Sequence, residues 1–170
     1  VRYPSLYQIN TRVWLRRLSR QQGKTVTLKE VPDEELDRIA GLGFDWVWLL
    51  SVWQTSAASR AVSRSHPGWR EEFRETLSDL TEDDICGSSF AITGYSASEG
   101  LGGAAALADI RQRLAKRGLK LMLDHVPNHT GLGHPWIETH ANYFIRGSEQ
   151  VLQRQPQNFV RAETRAGPRI

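Results

Sequence analysis

The apolar segment Phe44–Leu50 constrains the fold more than any other part of the sequence. Six of its seven residues are apolar, and residues that favour turns stand on either side of it. A strand that is apolar on both faces is typical of a sheet covered on both sides, as in parallel α/β proteins. Leu119–Asp124 is a second short, mostly apolar run of this kind. We therefore predict that both segments are strands of one parallel sheet.

Further predicted strands and helices alternate along the chain. Leu6–Thr11 alternates apolar and polar residues and predicts a strand. Asp33–Ala40 begins with three acidic residues and predicts a helix, as does the stretch 102–117, where apolar residues recur at helical spacing. Residues 51–100 hold only a short predicted helix at 69–77 and form a long connection. Strands that alternate with helices imply βαβ units, so the predicted fold class is α/β.

The charge pattern argues against a nucleic-acid-binding protein. Residues 1–70 carry 11 basic and 6 acidic side chains, residues 71–100 carry 1 and 8, and residues 101–170 carry 10 and 5. No continuous cationic stripe results, so we expect no nucleic-acid partner. No apolar run reaches the roughly 18 residues of a transmembrane helix, so we expect no membrane association.

The cysteine content and the length bear on location and on completeness. Cys86 is the only cysteine and cannot form an internal disulfide, and Val1–Pro4 lacks the features of a secretory signal, so we expect a cytoplasmic protein. The chain starts at Val1, and its only methionine is Met122. Its 170 residues are fewer than the roughly 250 of a closed eight-stranded α/β barrel. We therefore expect a piece of a longer protein.

The segment Asp124–Thr130 carries the polar groups with the clearest chemical potential. Asp124, Asn128 and His129 follow the last predicted strand, and parallel sheets bind ligands at the carboxyl ends of their strands. The residues alone are equally consistent with a turn that ends the strand, because Asp and Asn favour turns and Pro127 breaks strands.

A resemblance to a known family favours the first interpretation. Leu121–Thr130, which reads LMLDHVPNHT, resembles the first hallmark motif of the α-amylase family (glycoside hydrolase family 13), in which Asp-x-x-x-Asn-His follows the third barrel strand. Tyr7–Asn10 is similar to the first strand of that family and Gly43–Leu49 to the second. Ile92–Tyr95, followed by Leu101–Gly103 and a helix, is similar to the approach to the third strand. The ordered set covers essentially the whole chain.

The resemblance implies a partial (β/α)8 TIM barrel. Residues 1–170 would form the N-terminal portion of a glycoside hydrolase catalytic domain and contain its first three strands. Residues 51–100 would be the long connection after the second strand. Residues 131–170 would begin an excursion that resembles domain B of the family.

The resemblance also implies roles for individual residues. Tyr95 would stack on the sugar just before the cleaved bond, and His129 would hydrogen-bond hydroxyl groups of that sugar. Asp124 would belong to the substrate-binding site by holding its loop. Asn128 would be a Ca²⁺ ligand, as in calcium-dependent members. His125 stands where the family more often has an aliphatic residue, and it either faces the pocket or packs behind it.

The catalytic groups of the resembled family are missing from this sequence. The family uses a retaining mechanism, which needs two carboxyl groups about 5–5.5 Å apart, and these follow later strands. No Gly-x-Arg-x-Asp segment is present, and Glu99, Glu138, Glu149 and Glu163 lie in no matching motif. We therefore expect a fragment of a glycoside hydrolase or transglycosylase that acts on α-glucan or α-glucoside substrates, inactive by itself. The alternative is a complete, non-catalytic sugar-binding or partner-binding protein.

The sequence has two other features that could indicate a different function. Four histidines lie between His125 and His140, but their spacing matches no zinc motif. Trp46 and Trp48 are expected in the core, because they lie in the apolar strand. The other tryptophans, predicted in loops or short elements, remain candidates for sugar contacts: Trp14, Trp53, Trp69 and Trp136.

Overall fold

Helices and strands alternate along the chain, as the apolar segments predict. The computed structural model describes residues 3–170. The strands are Leu6–Asn10 (β1), Trp46–Leu50 (β2), Trp53–Thr55 (β3), Ile92–Ala97 (β4) and Lys120–Leu123 (β5). The helices are Thr11–Gln22 (α1), Asp33–Ala40 (α2), Ala57–Ser65 (α3), Pro67–Thr76 (α4), Gly103–Ala115 (α5), Trp136–Thr139 (α6) and Glu149–Arg154 (α7).

The predicted parallel sheet is present. It has three strands in the order β1-β2-β5, and each neighbouring pair is parallel. The register aligns Gln8 with Trp48 and Trp48 with Met122. The short strands β3 and β4 form a separate two-stranded sheet. The α/β fold class is therefore confirmed, and within residues 3–170 the strands do not close into a barrel.

The two faces of the parallel sheet differ in burial. Ile9, Val47 and Leu49 point to the buried face, where they pack with helices α1, α2 and α5 in one hydrophobic core. On the opposite face Gln8 and Met122 are exposed, whereas Trp46, Trp48 and Leu50 are half-buried. Burial of Phe44–Leu50 on both faces, expected from its composition, is thus found for one face only.

Helix α1 was not predicted, although the sequence carries signals for it. The side chain of Asn10 accepts a hydrogen bond from the backbone N–H of Val13 and caps the helix, and Gly23 ends it with a φ of 65°. The apolar residues that the helix buries are Trp14, Leu15 and Leu18. Trp14 therefore lies on a 12-residue helix and packs in the hydrophobic core. The prediction that it lies in a loop or short element is wrong.

Residues 51–100 contain more regular structure than the sequence indicated. The short helix expected at 69–77 is present as α4, but α3 and the strands β3 and β4 were not predicted. Helix α3 buries only two serines, Ser59 and Ser63, and α4 buries no residue. Hydrophobic periodicity reports burial, so helices that bury almost no apolar surface leave little periodic signal.

The chain divides into two compact units. The first comprises Val1–Gln54 and Gly94–Asn128 and holds the parallel sheet and its helices. The second comprises Thr55–Thr93 and His129–Ile170 and holds α3, α4, α6 and α7. None of the helices in residues 3–170 has the length and apolar character needed to cross a membrane.

Glu35 links α1 to α2 inside the first unit. Its carboxylate accepts hydrogen bonds from the indole N–H of Trp14 at 2.8 Å, from Arg17 at 2.6 Å and from Nε of Arg38 at 2.8 Å. The hydrogen bond from Arg38 is the largest cause of the shift that lowers the pKa of Glu35 from 4.5 to about 2. The bond from Trp14 and the charge of Arg17 add to it, against the opposing effect of burial.

We predict that Glu35→Gln lowers the free energy of unfolding at neutral pH by about 2 kcal/mol, because charge-assisted bonds are lost. A lowered pKa means that ionised Glu35 stabilises the fold. This contribution is complete above about pH 4.5, the unfolded value, and is lost as the pH falls towards 2. Urea unfolding followed by circular dichroism should show the difference between variant and wild type shrinking over that range. Glu34→Gln, at an exposed position of the same helix, is the control. A difference that does not change with pH would contradict the assignment.

Candidate functional site

The candidate site lies where β5 ends and the segment 124–130 begins. This segment has no regular secondary structure and is mostly exposed, but Asp124 is only 7% exposed. The end of β5 lies beside the end of β2, because the two strands are parallel neighbours. Residues that follow β2 can therefore reach Asp124.

Asp124 collects three hydrogen bonds from β2 and the residues after it. Its carboxylate accepts one bond from the indole N–H of Trp48 at 2.7 Å and another from the backbone N–H of Ser51 at 2.8 Å. Its backbone carbonyl accepts a bond from the indole N–H of Trp53 at 2.9 Å. Both carboxylate oxygens thus accept hydrogen bonds inside the protein, and these bonds hold the loop that begins at Asp124.

Ser51, which donates one of these bonds, has a strained backbone conformation. Its φ is 73°, and among residues 3–170 it is the only non-glycine residue with a positive φ. A left-handed conformation costs an L-residue about 1–2 kcal/mol. The side chain is buried, and the backbone N–H donates to Asp124. Strain of this kind persists where surrounding contacts enforce it and is concentrated at functional sites.

Tyr95 lies beside the same loop with half of its surface exposed. Its hydroxyl oxygen accepts a hydrogen bond from the backbone N–H of Val126 at 2.7 Å and lies 3.2 Å from Nδ1 of His125. Its ring meets Trp53 in an edge-on contact, with centroids 5.3 Å apart and planes at 80°. The ring of His125 stacks on it at 5.9 Å and 24°. The phenol is held at its hydroxyl end and at its ring, yet remains 50% exposed.

The structure brings together some of the predicted site residues. Tyr95 and Asp124 are linked through Trp53, which contacts the ring of one and the carbonyl of the other. Asn128 and His129 are exposed, and no side-chain hydrogen bond is found for either within the described part of the chain. His129 falls in the second compact unit.

Sequence reasoning missed three contributors to the site. Trp48 was expected in the core, but its half-buried indole donates to Asp124. Trp53 is one of the candidates for sugar contacts, and no motif indicates Ser51. The available signal for Ser51 and Trp53 is their position just after the predicted strand that becomes β2. His125 faces Tyr95.

The described residues do not assemble a metal site. Between residues 3 and 170 no group of three or more His, Cys, Asp or Glu side chains could hold a metal ion. Calcium takes six to eight oxygen ligands, and Asn128 supplies one amide oxygen. The role of Asn128 as a calcium ligand stays a prediction.

We predict that Asp124→Asn lowers the free energy of unfolding by about 1–3 kcal/mol. The amide nitrogen would face a donor, either the indole of Trp48 or the backbone N–H of Ser51, and leave it unsatisfied. Urea unfolding measures the effect, with Asp79→Asn at an exposed position as the control. Equal effects of the two substitutions would show that the Asp124 bonds do not stabilise the fold.

Comparison with known proteins assigns the chain to a family. The model of the α-amylase catalytic domain matches residues 20–165. An α-amylase from Lactobacillus plantarum superimposes with a TM-score of 0.58 at 22% identity, covering 86% of this chain and 28% of the amylase. A search of curated proteins finds no match.

Two other solved structures are similar at lower scores. A trehalose-6-phosphate hydrolase from Bacillus licheniformis has a TM-score of 0.48 at 22% identity, covering 78% of this chain and 18% of the hydrolase. The α-glucosyl transfer enzyme XgtA has a TM-score of 0.48 at 20% identity, and the match covers 78% of this chain and 19% of XgtA. This chain thus spans less than a third of the length of each solved structure. Its sheet and helices match the N-terminal part of an amylase barrel, and the chain belongs to the α-amylase catalytic-domain family, glycoside hydrolase family 13.

Proposed function

We propose that this chain supplies a sugar-binding part of an enzyme that hydrolyses or transfers α-glucosidic bonds in α-glucans or α-glucosides. The observation that carries the proposal is the fixed, half-exposed ring of Tyr95 beside the loop of Asp124. A pyranose presents an apolar face of C–H groups, which are weakly positive and pack well on the negative face of an aromatic ring. Family membership supplies the class of substrate.

The contacts of Tyr95 support its role as a platform for the sugar. A ring that is already fixed loses little conformational entropy when a sugar stacks on it, and this favours binding. The bond from Val126 and the edge contact with Trp53 provide that fixation. Asp124 supports the position of Tyr95 indirectly, because its hydrogen bonds hold the loop that carries Val126.

His129 and Asn128 complete the proposal. Both side chains are exposed on the segment that follows β5. In the proposed complex His129 binds hydroxyl groups of the stacked sugar. Asn128 contributes an oxygen to a calcium ion in the complete enzyme, and the remaining ligands come from outside the described residues.

The proposed reaction retains the anomeric configuration and uses carboxyl groups that this chain does not contain. Asp124 is buried and already bonded, Glu138 accepts bonds from the backbone of Arg165, and Glu149 pairs with Arg161. One face of the parallel sheet carries the exposed side chains of Gln8 and Met122. In a complete barrel that face would be covered by side chains from the other strands, because barrel interiors are filled by side chains from all strands. We propose that later strands supply the nucleophile and the acid/base group.

The same proposal extends to the organisation of the chain. Residues 51–100 form the connection after the second barrel strand, and residues 131–170 begin an excursion that resembles domain B. The two stretches account for most of the second compact unit, which supports their treatment as additions to the barrel.

The coding sequence after Ile170 tests the proposal directly. We expect it to encode further strands, with the nucleophilic Asp after the fourth and the acid/base Glu after the fifth. The protein so encoded should release products of α configuration from maltooligosaccharides, which proton NMR detects before mutarotation. A reading frame that ends without these carboxylates would favour a non-catalytic sugar-binding protein instead.

We predict that Tyr95→Ala weakens binding of maltotriose by about tenfold, the effect of losing one stacking platform. Isothermal titration calorimetry on the protein as encoded measures the dissociation constant. Tyr143→Ala is the matched control, because Tyr143 is 60% exposed and contacts Trp136 and His140 instead. If the two variants bind maltotriose equally well, Tyr95 is not a sugar platform.

A further inference from the structure

His125 makes two different contacts with Tyr95. Its ring stacks on the phenol ring at 5.9 Å and 24°, and its Nδ1 lies 3.2 Å from the phenol oxygen. The sequence places an ionisable, hydrogen-bonding ring where the family more often has an aliphatic side chain. An aliphatic residue can pack against Tyr95, but it cannot accept a hydrogen bond.

The phenol oxygen takes part in one hydrogen bond of fixed direction and in one whose donor depends on the tautomer of His125. The phenol oxygen accepts from the backbone N–H of Val126 at 2.7 Å. The phenol hydrogen is therefore available for a second bond, and Nδ1 of His125 is the acceptor within reach. In the neutral imidazole this arrangement leaves the ring proton on Nε2.

We propose that His125 is a positioning residue that fixes the sugar platform Tyr95 through its Nδ1, an inference that rests on the proposed sugar-binding function. With both bonds present, the phenol is tied at its oxygen to two consecutive residues, His125 and Val126. Rotation of the ring about its long axis would disturb the stacking on His125 and the edge contact with Trp53. His125 thus orders the ring before the sugar arrives, and need not contact the sugar itself.

A double-mutant cycle tests this role, with maltotriose as the probe and the protein as encoded. His125→Phe keeps an aromatic ring but removes the acceptor, and we expect it to weaken binding about fivefold. His125→Asn places an amide oxygen close to the position of Nδ1, and should recover most of that loss. In a Tyr95→Phe background, which lacks the hydroxyl, His125→Phe should have no further effect.

The outcomes separate this inference from the proposed function. If Tyr95→Ala does not weaken binding, the sugar platform fails and the role of His125 fails with it. If Tyr95→Ala weakens binding while His125→Phe leaves it unchanged, or weakens it equally in both backgrounds, only the role of His125 is overturned. Weaker binding by His125→Asn than by His125→Phe would also overturn it.

Nitrogen-15 NMR of the histidine ring gives a second measurement that needs no sugar and no His125 variant. We expect the neutral ring of His125 to carry its proton on Nε2. In the Tyr95→Phe variant the nitrogen-15 resonance of Nδ1 should move to the position of a nitrogen that accepts no hydrogen bond from a phenol, because the donor to Nδ1 is gone. A proton found on Nδ1 in the wild-type protein would overturn the inference, even where a His125 variant fails to fold.

Discussion

The buried carboxylate of Asp124 determines the arrangement of the site. A charge taken out of water must be compensated by hydrogen bonds, and here two donors come from β2 and the residue that follows it. Those bonds join the end of β2 to the end of β5, in addition to the ladder between the strands. Ser51, whose backbone N–H donates one of these bonds, has the strained φ of 73°.

The exposed part of the site is built on this buried part. Trp53 donates to the carbonyl of Asp124 and contacts the ring of Tyr95, while the backbone after Asp124 binds the phenol oxygen. An exposed aromatic side chain is thereby given a defined orientation without being buried. Asp124 is thus buried and bonded, whereas the ring of Tyr95 beside its loop is half-exposed.

The sequence allowed prediction of the elements that bury apolar surface. The strands β1, β2 and β5 and the helices α2 and α5 carry apolar residues at the spacing of their secondary structure. Helices α3 and α4 carry no such pattern, because they bury almost no apolar side chain. The motif after β5 pointed to Asp124, and the segment Ile92–Tyr95 pointed to Tyr95, but neither pointed to Ser51 or Trp53. Their roles depend on a backbone N–H and on an indole N–H that reaches another segment, and neither is encoded by local periodicity.

Two indole groups that donate to Asp124 also give the site an optical property. The emission of an indole depends on the polarity and the hydrogen bonding around its N–H. The indole N–H groups of Trp48 and Trp53 both donate to Asp124. Trp53 in addition touches the ring of Tyr95. Ultraviolet fluorescence therefore reports on this loop from within, without an attached dye, and disturbance of Asp124 acts on two chromophores at once.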